Sequence, residues 1–233
     1  MQLHELTPSL WPQVGIIKSY FPKLKENGSR DHAVGTVTLI NPGAVLTAAH
    51  NIHDRRPERG GAALKFDILF GGGILIRGIP GGNARVLKEW RDTGPSSTPS
   101  PFDAGVILLG TRVDGPAPAE IRATRSSDLV NFSANVVGYP VALPGGRSTL
   151  QGAADFAFND LEPPLGEYTI QYPIPTLGGM SGGPVYRTDE LSRGIVIRAV
   201  HTNGLDNKGS GIGLMISPKL DAQIQIWAAQ GTL

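Results

Sequence analysis

The stretch Gly178-Gly179-Met180-Ser181-Gly182-Gly183-Pro184-Val185 sets one serine among glycines, directly before an apolar strand. Glycines allow a tight turn that larger residues would block. A serine hydroxyl is a weak nucleophile near neutral pH unless a base lies within hydrogen-bond distance. The stretch therefore predicts a nucleophilic Ser181 on a tight turn, with the backbone N–H groups of Gly179 and Ser181 as donors for an oxyanion.

The partners of that serine are predicted from two further segments, Leu46-Thr47-Ala48-Ala49-His50 and Phe102-Asp103-Ala104-Gly105-Val106-Ile107-Leu108-Leu109. The first segment ends an apolar strand at a histidine, and the second begins a strand just after an aspartate. A histidine can take the hydroxyl proton and return it to a leaving amine, while an aspartate fixes the histidine tautomer. We therefore interpret His50 as the general base, Asp103 as its orienting partner and Ser181 as the nucleophile.

These motifs follow one another as Thr-Ala-Ala-His at 47–50, Asp-Ala-Gly at 103–105 and Gly-x-Ser-Gly-Gly-Pro at 179–184. In this order the chain resembles the trypsin-like, or chymotrypsin-like, family of serine peptidases over nearly its whole length. The resemblance implies an all-β fold of two six-stranded antiparallel Greek-key β-barrels with a C-terminal α-helix. It also implies a serine endopeptidase that hydrolyses peptide bonds through a Ser-His-Asp triad and an acyl-enzyme intermediate, in a cleft between two halves.

The composition agrees with many short strands. Gly and Pro number 31 and 19 among 233 residues and are spread along the chain, which favours strands joined by turns over a helical bundle. Twelve short segments, most of them rich in β-branched residues, are predicted to be strands: Val14–Ile17, Gly35–Ile40, Ala44–Thr47, Leu64–Phe70, Ile74–Ile79, Ala84–Leu87, Ala104–Leu109, Ala134–Tyr139, Tyr168–Tyr172, Pro184–Tyr186, Ile195–His201 and Gly211–Ile216.

One helix is predicted at the end of the chain, over Ser217–Gln230, because Ser217 can cap it ahead of a proline. Its apolar face carries Leu220, Ile224 and Trp227. We expect this helix to pack on the second half. The connection between the halves is predicted at Asp114–Glu120, which divides the single peptidase domain into 1–115, with the histidine and aspartate, and 116–233, with the serine, the specificity pocket and the helix.

Charge and composition restrict the partners. Lys plus Arg number 21 and Asp plus Glu number 20, so a net charge of +1 offers no attraction for nucleic acid or an anionic membrane. The chain has no cysteine, which excludes disulfides, thiolate metal sites and a thiol nucleophile. We therefore expect a monomer that acts on a protein or peptide substrate without a cofactor. The start, Met1–Pro8, lacks a basic segment followed by an apolar stretch, which slightly favours a cytoplasmic location over secretion with the leader removed.

Two positions depart from the trypsin branch of the family. Met180 stands directly before Ser181, where that branch has an aspartate that pairs with a freed amino terminus. Activation through such a salt bridge is therefore not expected. Pro175 stands six residues before the serine, where an aspartate in that branch attracts Lys or Arg, so a preference for basic residues is not expected either.

Other positions resemble the glutamyl endopeptidase branch. Thr176 matches the threonine of that branch's Thr-x-Gly-Gly-x-Ser run, and His201 matches its pocket histidine. A histidine N–H and a threonine hydroxyl can both donate to a carboxylate, and partial protonation of His201 near neutral pH would suit that task. The resemblance implies a pocket for Glu, with Asp second. Its expected lining residues are Thr176, His201, Thr202, Asn203 and Gly204. The alternative is that His201 is a structural strand residue and Thr176 a turn residue.

Two other interpretations stay open. A catalytically silent chymotrypsin-fold binding module would share this fold, and so would a cytosolic effector protease that acts on one partner protein. The pair His50-x-x-His53 could suggest a metal ion. It lacks an evident third ligand, so no metal site is expected.

Overall fold

Two curled, mostly antiparallel β-sheets, a separate two-stranded antiparallel sheet and a C-terminal helix are the main elements of the computed structural model, which confirms the predicted fold class. The structure describes residues 3–24, 30–56, 59–93, 100–129, 132–141, 149–156, 168–187, 194–205 and 209–231. Its strands are β1 (His4–Glu5), β2 (Val14–Leu24), β3 (Arg30–Asn41), β4 (Ala44–Thr47), β5 (His53–Asp54), β6 (Gly61–Ala62), β7 (Lys65–Phe70), β8 (Leu75–Pro80), β9 (Ala84–Val86), β10 (Gly105–Leu108), β11 (Glu120–Ile121), β12 (Ser133–Gly138), β13 (Gln151–Phe156), β14 (Thr169–Tyr172), β15 (Pro184–Arg187), β16 (Val196–Leu205) and β17 (Ser210–Met215). The described helices longer than a single turn are α1 (Lys88–Asp92) and α2 (Pro218–Ala229). Each of the twelve predicted strands overlaps one of these strands.

The first sheet has seven strands in the order β8-β7-β2-β3-β4-β10-β9. Strand β7, next to the edge strand β8, alternates in burial with a period of two, as a strand that covers one core does: Phe66 and Ile68 are buried, while Lys65 is exposed. Strands β4 and β10 are buried at every position. Their alternate residues face two different cores: Val45 belongs to the core of the first sheet, and Leu46 to a core shared with the second sheet. The predicted histidine and aspartate lie at the ends of these two fully buried strands.

The second sheet has eight strands, in the order β1-β13-β12-β15-β16-β17-β14 with β11 beside β16. Strand β11 runs parallel to β16, whereas the other described pairs are antiparallel. The predicted count of six strands in each half is therefore too low, and one pair departs from the antiparallel pattern. Strands β1 and β11 have two residues each, which is too short for a periodic pattern in the sequence to show them.

Helix α2 begins and ends within one residue of the predicted bounds. The Ser217 hydroxyl accepts a hydrogen bond from the Leu220 N–H, and Pro218 occupies the first turn. Its buried residues are Leu220, Ile224, Trp227 and Ala228. The helix was predicted to pack on the second half, but it lies against β10 and β3 of the first sheet. The apolar face of the helix completes the core that the two sheets share. More of that face is buried there than contact with a single sheet would bury.

The two ends of the chain each cross between the halves. Strand β1 pairs with β13 of the second sheet, while α2 lies on the first. The division at residues 115 and 116 stays a prediction. In the described ranges, no helix is long and apolar enough to span a lipid bilayer.

Candidate active site

The register of β4 against β10 brings His50 and Asp103 together. Thr47 at the end of β4 pairs with Gly105 at the start of β10, so the residues just beyond each strand end meet. His50 lies in a short 3₁₀ turn after β4. Its Nδ1 is 2.8 Å from Asp103 Oδ2, and its backbone N–H donates to Asp103 Oδ1 over 2.9 Å. Both carboxylate oxygens of a buried aspartate thus orient the histidine.

The electrostatics of this pair favour a basic histidine. Burial lowers the pKa of His50, while the charge and the hydrogen bond of Asp103 raise it, and the pKa ends above its ordinary value. Because Nδ1 is engaged by the carboxylate, Nε2 is the nitrogen available to another partner. The His50 side chain is 32% exposed, so a substrate can reach that nitrogen.

Ser181 lies on the turn before β15 and is tied to the segment that carries His50. The Ser181 carbonyl accepts hydrogen bonds from the Thr36 N–H over 2.8 Å and from Asn51 Nδ2 over 2.9 Å. Asn51 directly follows His50 in the chain. Its side-chain amide therefore connects the segment that carries the histidine to the backbone of the serine. The Ser181 hydroxyl donates to the Thr202 carbonyl over 3.0 Å, a strong acceptor that holds it before any substrate is bound.

The peptide units of the serine turn are held in one orientation. The Gly178 carbonyl accepts from the Val141 N–H over 2.8 Å, and the Met180 carbonyl accepts from the Gly183 N–H over 3.0 Å. In a planar trans peptide the N–H points opposite to the carbonyl, so these bonds orient the N–H groups of Gly179 and Ser181. Neither of these two N–H groups has an acceptor in the described part of the chain. Both are available to a ligand oxygen.

The glycines of this turn are needed for conformation and for space. Gly179 and Gly182 have φ values of +97° and +91°, in the region that side chains disfavour. A Cβ at Gly182 would lie 2.2 Å from the Thr36 carbonyl and from the Thr47 hydroxyl. The close approach of the serine turn to β3 and β4 therefore requires glycine.

His201 lies in β16 and is 1% exposed. Its Nδ1 is 2.6 Å from the Tyr172 hydroxyl and 3.1 Å from the Ile212 carbonyl. Burial lowers the pKa of His201 to about 4, and the hydrogen bond that a protonated ring would donate to the Ile212 carbonyl offsets this only in part. The expected partial protonation near neutral pH is therefore wrong for the protein without substrate, since too little water reaches the ring to stabilise a charge.

Three of the other expected pocket residues, Thr202, Asn203 and Gly204, follow His201 in β16. Thr176 approaches that strand at Gly204: a Cβ at Gly204 would lie 3.1 Å from the Thr176 hydroxyl. Within the described residues, this buried hydroxyl has no hydrogen-bond partner. Thr202 is buried, and its carbonyl holds the Ser181 hydroxyl. Asn203 is half-buried beside a bulge in β16.

Three residues of the site were not identified from the sequence: Thr36 and Asn51 beside the serine turn, and Tyr172 beside His201. The Thr36 hydroxyl donates to the Gly179 carbonyl over 2.9 Å, and Asn51 Nδ2 bonds the Thr47 hydroxyl as well as Ser181. For Asn51, a local signal existed in the sequence: it is an amide directly after the predicted base, and the structure shows that its side chain is buried. Tyr172 had no such signal, because its contact with the pocket histidine depends on strand register.

Asn51→Ala is expected to lower the free energy of unfolding by about 1–3 kcal/mol, because a buried amide with two hydrogen bonds is lost. Chemical denaturation would measure this. The control is Gln230→Ala, which removes an exposed hydrogen bond to Arg85 and should change stability by less than about 0.5 kcal/mol. Equal effects of the two variants would contradict the role assigned to Asn51.

A histidine oriented by a buried aspartate, beside a serine turn with two unpaired N–H groups, places this two-sheet chain in the class of chymotrypsin-fold serine peptidases. Sequence comparison is more specific. Residues 35–195 match the trypsin-like peptidase domain family, and the chain belongs to that family.

Two curated proteins and one solved structure show what the chain is similar to. The extracellular metalloprotease of Bacillus subtilis (strain 168) is 26% identical over 205 residues, which cover 82% of this chain and 57% of that protein. The glutamyl endopeptidase of Bacillus licheniformis is 25% identical over 178 residues, covering 74% and 53%. The chain thus spans little more than half the length of these curated relatives. A solved structure of a Glu endopeptidase in complex with MPD superposes with a TM-score of 0.71 at 19% identity, covering 98% of this chain and 97% of that one.

Within the described residues, no group of three or more His, Cys, Asp or Glu side chains could hold a metal ion.

Proposed function

We propose that the chain is a serine endopeptidase that hydrolyses peptide bonds with Ser181, His50 and Asp103. The observation that carries the proposal is the buried aspartate bound to His50 Nδ1 over 2.8 Å, next to a serine turn attached through Asn51. That arrangement leaves His50 Nε2 as the base for the serine.

The steps follow from the contacts of the free protein. When a peptide carbonyl lies over the turn, the Ser181 hydroxyl rotates from Thr202 to His50 Nε2 and attacks as its proton passes to the imidazole. The N–H groups of Gly179 and Ser181 then donate to the oxyanion. The C–N bond breaks as the imidazolium returns the proton to the leaving amine, which leaves an acyl group on Ser181. Water, deprotonated by His50, then attacks the acyl carbon. The C–O bond to Ser181 breaks as the imidazolium returns the proton to the serine oxygen, which releases the carboxylic acid.

Covalent labelling tests the proposal. A serine-reactive phosphonate should attach to Ser181 and stop cleavage of a peptide library, because an oriented base activates that hydroxyl. A chelator should leave cleavage unchanged, which matters because one relative is named a metalloprotease. Cleavage that resists the phosphonate but stops with the chelator would contradict the proposal, and a protein that neither labels nor cleaves would be a silent binding module.

We further propose a preference for Glu, with Asp second, before the scissile bond. Thr176 supports it with a buried hydroxyl that has no partner within the described residues, since such a group gains a hydrogen bond when a polar ligand binds. His201 supports it with an imidazole that can donate a hydrogen bond to a carboxylate. The similarity to a glutamyl endopeptidase supports the same preference. A carboxylate beside His201 would raise the pKa of the imidazole from its low value in the free protein.

His201→Ala is expected to reduce cleavage after Glu about ten- to a hundred-fold, as for the loss of a charge-assisted hydrogen bond of about 1.5–3 kcal/mol. Reaction with a small acylating reagent should change little, because the base and the serine are intact. Peptide-library cleavage and acylation rates would be measured together. His53→Ala is the control, since His53 belongs to the first half. Equal losses in both assays would show that His201 is structural, and cleavage after basic or apolar residues would refute the pocket.

A further inference from the structure

Tyr172 and His201 meet across a strand that lies between them. In the second sheet, β17 separates β16 from β14, and the register pairs Tyr172 with Gly211 and His201 with Gly213. Gly211 and Gly213 are two residues apart on β17, so they lie on the same face of that strand, and neither has a side chain. A Cβ at Gly211 would lie 2.2 Å from the Tyr172 ring. Glycine at 211 therefore makes room for the Tyr172 ring, whose centroid is 6.0 Å from that of the His201 ring.

Hydrogen-bond satisfaction decides which nitrogen of His201 carries the hydrogen. A neutral imidazole has one N–H and one acceptor nitrogen. If Nδ1 carried the hydrogen and gave it to the Ile212 carbonyl, the Tyr172 hydroxyl would have a buried hydrogen without an acceptor in the described residues. If Tyr172 donates to Nδ1 over 2.6 Å, the Ile212 carbonyl is still served by the Thr202 hydroxyl over 3.3 Å. The second arrangement gives partners to the Tyr172 hydroxyl, to His201 Nδ1 and to the Ile212 carbonyl, and it leaves only the Nε2–H of this group without a partner in the described residues. Nε2 is not among the fully buried unpartnered side-chain atoms of those residues, so its hydrogen can meet water or a ligand, whereas the hydrogen of the buried Tyr172 hydroxyl could not.

The burial of both rings keeps these roles over the neutral range of pH. Burial raises the pKa of Tyr172 well above its ordinary value, so its hydroxyl stays a donor. Burial lowers the pKa of His201 to about 4, so its ring stays neutral and can accept at Nδ1.

We infer that Tyr172 is a positioning residue for substrate specificity: its hydroxyl bond to Nδ1 holds His201 in the tautomer with hydrogen on Nε2. Nε2 lies on the side of the ring away from Tyr172. It then offers a carboxylate an N–H, whereas the other tautomer would offer a lone pair that repels it. The Thr176 hydroxyl, which is buried and has no partner in the described part of the chain, supplies a second donor. This inference rests on the proposed preference for Glu.

Tyr172→Phe keeps the ring and removes only the hydroxyl, so the Ile212 carbonyl becomes the remaining partner of Nδ1. The hydrogen of His201 should then move to Nδ1. Nitrogen NMR of the labelled histidine ring would show hydrogen on Nε2 in the native protein and on Nδ1 in the variant. Nε2 would then be a hydrogen-bond acceptor. The side-chain amide of a Gln substrate can donate to it, whereas the carboxylate of a Glu substrate cannot. The ratio of cleavage after Glu to cleavage after Gln should therefore fall about tenfold or more. Acylation by a small reagent should be unchanged.

Tyr186→Phe is the matched control, because it removes another buried phenol from the same sheet and should alter neither the His201 signals nor the Glu to Gln ratio. Hydrogen on Nδ1 in the native protein would overturn the inference even if Tyr172→Phe fails to fold. So would a Tyr172→Phe variant with the native tautomer, or one that loses Glu and Gln cleavage equally. A tautomer switch in a protein that shows no Glu preference would refute the proposed specificity and still support control of His201 by Tyr172.

Discussion

Ser181→Ala should lower turnover about 10⁴- to 10⁶-fold, because the members of a triad act as a unit and only binding and oxyanion stabilisation remain. Folding should be little affected. The hydroxyl makes one described bond, to the Thr202 carbonyl, while the Ser181 carbonyl keeps its bonds to Thr36 and Asn51. Peptide hydrolysis under saturating substrate would measure the loss, with circular dichroism to verify the fold.

Ser19→Ala is the matched control for that experiment. Ser19 is a buried serine of β2 whose hydroxyl has no hydrogen-bond partner among the residues that the structure describes, so turnover should stay within a few-fold of native. Native-like turnover in Ser181→Ala would refute the assignment of the nucleophile, whatever the control shows.

Asp103→Asn should lower turnover about 10⁴-fold near neutral pH, the size of loss known for the equivalent change in the family's template triad. The amide keeps the shape but can donate to His50 Nδ1, which turns the histidine to the wrong tautomer. The variant should also change the pH dependence. Asp103 raises the pKa of His50, and the base acts when neutral, so native activity rises with pH through a raised pKa. Without the carboxylate, that rise should occur at lower pH.

A pH–rate profile of kcat/KM would measure both effects of Asp103→Asn. Asp67→Asn is the control: this aspartate accepts from the Tyr20 hydroxyl and the Gly78 N–H on the first sheet and should leave the profile unchanged. A large loss with an unshifted acidic limb would contradict the electrostatic role given to Asp103.

Local patterns were enough for most of the fold. Short apolar runs between turn residues predicted β4 and β10, and Ser217 with Pro218 predicted the start of α2, because these signals depend on neighbours in the chain. Strand β13, with the sequence Gln-Gly-Ala-Ala-Asp-Phe, has no β-branched residue and was missed. It is a strand because β12 and β1 pair with it on both sides, and such pairing overrides local propensity.

The placement of elements needed long-range contacts. The apolar stripe of α2 could be read from spacing, but the surface that it covers could not. The helix follows β17 of the second sheet and nevertheless packs on β10 and β3 of the first. Burial against two sheets at once is a property of the assembled core, and no window of sequence contains it.

The amino-acid sequence was sufficient to propose the reacting groups and their order, and to predict the glycine turn around Ser181, because nucleophile turns and strand ends have local signatures. The tertiary structure decided which contacts those groups make. It directed the Ser181 hydroxyl to Thr202, joined Asn51 to the serine carbonyl and left His201 neutral against Tyr172. Each of these depends on strand register or on exclusion of water, which bring together residues far apart in the chain.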